Sequence, residues 1–241
     1  MTFNDIHIAA LDAIVGTKER DTAGDLVLTT SGWLGSACRA WAEAVSGVPQ
    51  ERLPAARQDR RSLRSLVQGT ELSDDEALLA VMAWGGQRRD HGRSTWASVE
   101  TLGPVVQGLR TGALNRRAGY DAFFEATTRQ NNRVVGLGPA YYSKLLFFLP
   151  PASTGPIMDQ WTAKSMQLLV DRRDAPPIVT LSHAGYVTRG NTAEVYEQFC
   201  SFVAALAKRY GISDGNAEEL IFAGSQQPWR TYVRTHWRHR V

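Results

Sequence analysis

Three groups of residues in this chain have types and spacing that can do chemistry. Asp159 stands at the head of an apolar-periodic segment, where free main-chain amides and the helix dipole stabilise a charged carboxylate. A carboxylate held there can stabilise a developing cation or orient a nucleophile, and it is a poor proton donor. Its plain structural role is an N-cap worth about 1 kcal/mol. Upstream, Lys144 is the only charged residue in the apolar run from Ala140 to Leu149. Desolvation by Tyr141, Leu145 and Phe148 would lower its pKa toward a nucleophilic amine; otherwise its stem covers apolar surface and its head reaches solvent. Before it, Gly136-Leu-Gly138 can form a tight turn whose amides meet a phosphate, with Arg133 beside it.

These residues require helices to hold them. Pro139 suits the first position of a helix that runs to Leu149, and Pro150-Pro151 stops it. The loop 152–156 leads to Ile157-Met158 and then to Asp159 as the cap of a helix over 160–170. The strings Gly136-Leu-Gly-Pro139, Ser143-Lys-Leu-Leu-Phe-Phe-Leu149 and Ile157-Met-Asp-Gln-Trp161 resemble the helix-hairpin-helix DNA glycosylase superfamily, in its bacterial and archaeal branch with the 8-oxoguanine glycosylase fold. The similarity covers Val134 to about Lys164, with a weaker echo at Ala83-Trp-Gly-Gly86. In lysine-bearing members the catalytic amine follows the second hairpin glycine by two positions, where this chain has Ala140. Lys144 lies one helical turn further on, on the same face.

The resemblance implies two helical lobes around a DNA-binding cleft and an enzyme that flips a modified base and cleaves its N-glycosidic bond. Asp159 and Lys144 are then the catalytic candidates, and the displaced lysine favours a monofunctional enzyme that leaves an abasic site. Phosphate contacts are expected from Arg133, Gly136, Gly138, Arg88, Arg93, Arg230 and Arg234. The base pocket is expected from Gln87, Arg89, Tyr141, Tyr142 and Trp161, although core packing is the commoner fate of such aromatics. Some proteins similar to this branch remove glucosylated hydroxymethylcytosine from phage DNA in antiviral defence. The polar segment Trp84–Arg93, between glycines, can supply donors to a sugar, so that base is the favoured substrate. The alternatives are an 8-oxoguanine repair glycosylase and lyase using Lys144, a DNA-binding module without catalysis, or a helical enzyme acting on a small anion through residues 87–93.

At 241 residues with 43% apolar content the chain can bury a substantial core, and a formal charge of +3 permits nucleic acid without requiring it. Arg230, Arg234 and Arg238 recur every four residues, so a terminal helix would present them as a stripe along phosphates. Two cysteines cannot hold an iron–sulfur cluster, which excludes those superfamily members. Cys38 and Cys200 are expected as buried thiols, no zinc spacing is present, and the only expected ion is a structural monovalent cation at the hairpin. The N-terminus has neither a basic nor an apolar leader segment, so a cytoplasmic monomer is expected, acting on double-stranded DNA away from membranes.

The periodicity predicts an all-α protein with helices near 4–16, 31–46, 57–68, 74–84, 96–110, 117–130, 139–149, 160–170, 192–209, 214–223 and 227–238. Minor β pieces are expected at 26–29 and 177–181. The reading is one glycosylase domain over 1–241, with an N-terminal lobe segment 1–56 and a core 57–241 containing the hairpin 130–149.

Overall fold

The computed structural model of the chain describes residues 2–28, 34–129, 133–152, 155–172, 175–222 and 227–238. Among them are twelve helices: α1 Asp5–Val15, α2 Cys38–Ser46, α3 Arg60–Gln68, α4 Asp74–Trp84, α5 Arg89–Trp96, α6 Val99–Arg110, α7 Arg116–Thr128, α8 Pro139–Phe148, α9 Gln160–Leu169, α10 Ala193–Tyr210, α11 Asp214–Phe222 and α12 Pro228–His236. The all-α expectation holds. The chain forms two compact units, one of residues 1–32 with 156–241 and the other of residues 33–155. The expected segments 1–56 and 57–241 do not coincide with them, because the first thirty residues belong with the C-terminal helices.

In the unit of residues 33–155, α4 is buried on every side and packs on α2, α3, α6 and α8. Its start is a capping box: Ser73 accepts from the Glu76 amide at 3.2 Å, and the Glu76 carboxylate accepts from the Ser73 amide at 2.8 Å. Arg52 pairs with the same carboxylate at 2.8 Å. The expected helix over 31–46 begins only at Cys38, and 31–33 lie outside the described residues. The stretch expected as an open polar loop through Arg93 is instead α5, which precedes α6. Gly92 lets this helix approach α2: a Cβ there would meet the Trp41 ring at 2.8 Å and Val45 at 2.9 Å, so the glycine serves close packing of α5 on α2.

In the other unit α9 packs on α1, α11 and α12. Ser165 ties three elements together, donating to the Ile221 carbonyl at 2.9 Å and accepting from the Trp229 indole at 3.0 Å. Neither expected β piece becomes a strand. Leu26 and Leu181 make only isolated bridges, to Arg20 and Val187, and residue 29 lies outside the described residues. Asparagine side chains take the strand partner's place. Asn216 accepts from the Leu26 amide and donates to its carbonyl, each at 3.0 Å, and Asn191 does the same for Thr180 at 2.8 and 2.9 Å.

Candidate active site

Asp159 is the N-cap of α9. Its Oδ1 accepts from the amides of Trp161 at 2.7 Å and Thr162 at 3.1 Å, while its own amide donates to the Thr162 hydroxyl at 2.9 Å. Thr162 also donates to the Ile157 carbonyl at 2.9 Å, which locks the approach to the helix. One carboxylate oxygen is thus held by the helix. The other, Oδ2, accepts no hydrogen bond among the described residues, and the residue is half-buried. The arrangement is a fixed negative charge with one oxygen available to a ligand.

Cations gather beside it. Lys164 is only 8% exposed, and its amine lies 4.5 Å from the Trp161 ring and 4.7 Å from the Trp237 ring, making no hydrogen bond among the described residues. Burial pushes this amine below the ordinary lysine value; the Asp159 charge opposes that shift and Arg230 adds to it. The backbone at Gly185, with φ of +79°, closes over the amine, and a Cβ there would fall 2.6 Å from Nζ. Trp237 is fixed in turn by its indole donating to Gln167 at 2.7 Å. Arg230 stacks its guanidinium 3.9 Å from the Trp161 ring centre and donates to the Phe222 carbonyl at 2.5 and 3.2 Å. Burial lowers its pKa to about 10, with Asp159 opposing and Arg234 adding to the shift. Arg234, exposed, lies 5.5 Å from the same ring.

The glycine turn belongs to the other unit. Gly136 has φ of +89°, and a Cβ would collide with the His91 carbonyl oxygen, so both conformation and space demand glycine. Two side chains clamp the turn from the α5 side: Gln87 donates to the Gly136 carbonyl at 3.0 Å and Thr95 to the Val135 carbonyl at 3.2 Å. Gly138 caps α8, with Pro139 in its first turn. The amides of Gly136, Gly138 and Ala140 donate to no hydrogen bond among the described residues, and all three residues are half-exposed. Exposed Arg133 stands two residues before Val135 and makes no ion pair among the described residues. Open amides, a helix N-terminus and a nearby guanidinium suit a phosphate.

A family model described as a putative 8-oxoguanine DNA glycosylase, OGG-like protein, matches residues 30–222. The chain belongs to this family. No curated protein and no solved structure matches the chain. No helix among the described residues of this OGG-like chain is long and apolar enough to cross a membrane.

Several expected site residues of this OGG-like chain stand elsewhere. Gln87 is 4% exposed and is spent on the turn, so its amide faces the hairpin and not a ligand. Tyr142 is a core residue, stacked on Phe123 at 5.7 Å, edge-on to Tyr120 and hydrogen-bonded to Thr127. Tyr141 is half-buried and donates to the Gly85 carbonyl at 3.3 Å. Arg88 pairs with Asp90 at the surface, Arg93 donates to the Ala44 carbonyl at 3.1 Å, and Arg89 is exposed. The expected arginine stripe breaks up: Arg230 points inward, and Arg238 lies past the end of α12. A Trp161 ring able to take a guanidinium draws Arg230 in. Lys144 is 8% exposed, and its amine turns back to donate to the Ala140 carbonyl at 3.1 Å, beside the Tyr141 ring at 5.1 Å. It belongs to the other unit from Asp159. The residue missed in the sequence is Lys164, whose spacing to Trp161 on one helix face was the available signal.

Proposed function

We propose that this chain withdraws a modified base from duplex DNA as a monomer and hydrolyses its N-glycosidic bond, leaving an abasic site. The observation that carries the proposal is Asp159: one oxygen is bound by two helix amides and the other accepts no hydrogen bond among the described residues. As the sugar acquires positive charge, the free oxygen stabilises it or takes a proton from the attacking water. Trp161, two residues on, offers an indole at this end of α9. The open amides of Gly136, Gly138 and Ala140 hold a backbone phosphate. A monovalent cation at the turn would take the Val135 and Gly136 carbonyl oxygens, each of which accepts one hydrogen bond and keeps a second lone pair. Hydrolysis by water, without a covalent lysine step, is favoured by Lys144 being engaged with the Ala140 carbonyl.

The substrate reading changes from the sequence expectation. The case for glucosylated hydroxymethylcytosine rested on the polar segment 84–93 together with the displaced lysine, and Gln87 of that segment is buried against the hairpin. The family description supports an oxidised purine, which we place first; glucosylated cytosine, and with it a role in phage defence, is the second reading. The test is incubation with duplexes carrying one 8-oxoguanine, one glucosylated hydroxymethylcytosine, or no modification, followed by alkali. Strand breaks at the oxidised purine are expected, and none in unmodified DNA. Breaks only at the glucosylated base would replace the first reading by the second, and no breaks on any duplex would overturn glycosylase action.

A further inference from the structure

Helix α9 carries a second charged group five residues after Asp159. Lys164 is 8% exposed, and its three N–H groups donate to no hydrogen bond among the described residues. The Trp161 and Trp237 rings, 4.5 and 4.7 Å from the amine, offset only part of the cost of desolvating an ammonium. The surroundings are fixed. Trp237 donates to the Gln167 side chain at 2.7 Å, and Gln167 donates in turn to the Val179 carbonyl at 2.8 Å. The turn bearing Gly185 is closed by the Gly185 amide donating to the Ser182 carbonyl at 2.7 Å and the Tyr186 amide to the Ser182 hydroxyl at 3.1 Å. Side chains on a helix lean toward its N-terminus, so the lysine stem carries the amine back along the roughly 7.5 Å of axis that separate Lys164 from Asp159 at 1.5 Å per residue. The charges that bear on the amine are those of Asp159 and of Arg230 on α12.

We infer that Lys164 donates the proton that neutralises the departing base, acting with Asp159 at the head of α9. An ammonium whose donors are engaged by no protein group can hydrogen-bond to the base as negative charge develops there; the amine of Lys144 is already given to the Ala140 carbonyl. Breaking the C1′–N bond leaves its electron pair on the base, and a nitrogen or carbonyl oxygen of the base takes a proton from Nζ. The oxygen of a water molecule bonds to C1′, and a proton of that water passes to Asp159. Exchange with solvent returns the amine and the carboxylic acid to an ammonium and a carboxylate, so the net reaction consumes one water. Burial holds the amine below the ordinary lysine value, which makes it a stronger acid than an exposed ammonium. The inference rests on the proposal that the chain hydrolyses an N-glycosidic bond.

The experiment follows release of the free base under single turnover, from about pH 6 to about pH 10, for the parent, Lys164→Met and Lys164→Arg. The substrate is the duplex, carrying 8-oxoguanine or glucosylated hydroxymethylcytosine, from which the parent releases a base. Lys164→Met is expected to slow release about 10²-fold at neutral pH while DNA affinity changes only a few-fold. An acid acts only while protonated, so the parental rate is expected to fall as pH rises, toward a midpoint below the ordinary lysine value of 10.5. Lys164→Arg keeps the charge and does not lose its proton in this range, so its rate should lie between the other two and show no alkaline fall. A loss of less than tenfold in folded Lys164→Met would overturn the inference alone. So would an alkaline fall in Lys164→Arg equal to the parent's, and that profile decides the matter if Lys164→Met does not fold. A borohydride-trapped adduct that disappears in the Lys164 variants would also overturn it, by making the amine a nucleophile. Absence of base release by the parent from every duplex would overturn the glycosylase proposal and this inference together.

Discussion

The guanidinium of Arg230 lies 3.9 Å from the centre of the Trp161 indole, two residues beyond Asp159. It is a buried arginine that faces a ring and a main-chain carbonyl, while Arg234, one helical turn later, stays exposed beside the same ring. Two arginines of one sequence pattern therefore have different work. Arg230→Met is expected to leave affinity for unmodified DNA within about twofold and to lower excision at least tenfold, because Trp161 loses the group that holds its ring. Arg234→Gln is expected to weaken DNA binding several-fold and to reduce its salt dependence by about one contact. Anisotropy titrations paired with single-turnover excision separate the two, and equal effects on binding would contradict the assignment.

Asp159→Asn retains a side chain that caps helices well, so α9 should persist. The lost charge is expected to slow excision by about 10²- to 10³-fold while DNA affinity changes only a few-fold. Circular dichroism should be unchanged. Excision within tenfold of the parent would remove Asp159 from the reaction.

Lys144 and Lys164 both bury an amine, in different ways. Lys144 donates to the Ala140 carbonyl, whereas Lys164 sits between two indoles under Gly185. With water as the nucleophile, Lys144→Met is expected to keep base release within about tenfold, and borohydride is expected to trap no protein–DNA adduct. An adduct lost in Lys144→Met would assign that amine a covalent role; an adduct lost only in Lys164→Met would assign it to the aromatic cage.

Burial pushes the Cys38 thiol from 9.0 up to about 11. The unfolded chain releases this proton about two pH units before the folded protein does. Stability from the neutral thiol is therefore complete below pH 9 and falls as pH rises from 9 to 11, by on the order of 2 to 3 kcal/mol. Urea unfolding should show that fall, and Cys38→Ala should flatten it. Alkylation of the native thiol should be slow at pH 8.

The sequence by itself determined the helical class, the caps at Ser73 and Asp159, the glycine turn before Pro139 and the superfamily, because each depends on neighbours a few residues apart: a hydroxyl or carboxylate reaching an amide, a missing Cβ, an apolar repeat. What the tertiary structure decided is where side chains from distant segments spend their polar atoms. Gln87 looked like a ligand donor until the Gly136 carbonyl claimed it, and Arg230 like a phosphate contact until Trp161 and Phe222 did. Leu26 and Thr180 looked like strand residues until Asn216 and Asn191 satisfied their backbones. A buried polar group must find a partner, and that partner is chosen by packing between elements far apart in the chain, where local residue patterns carry no information.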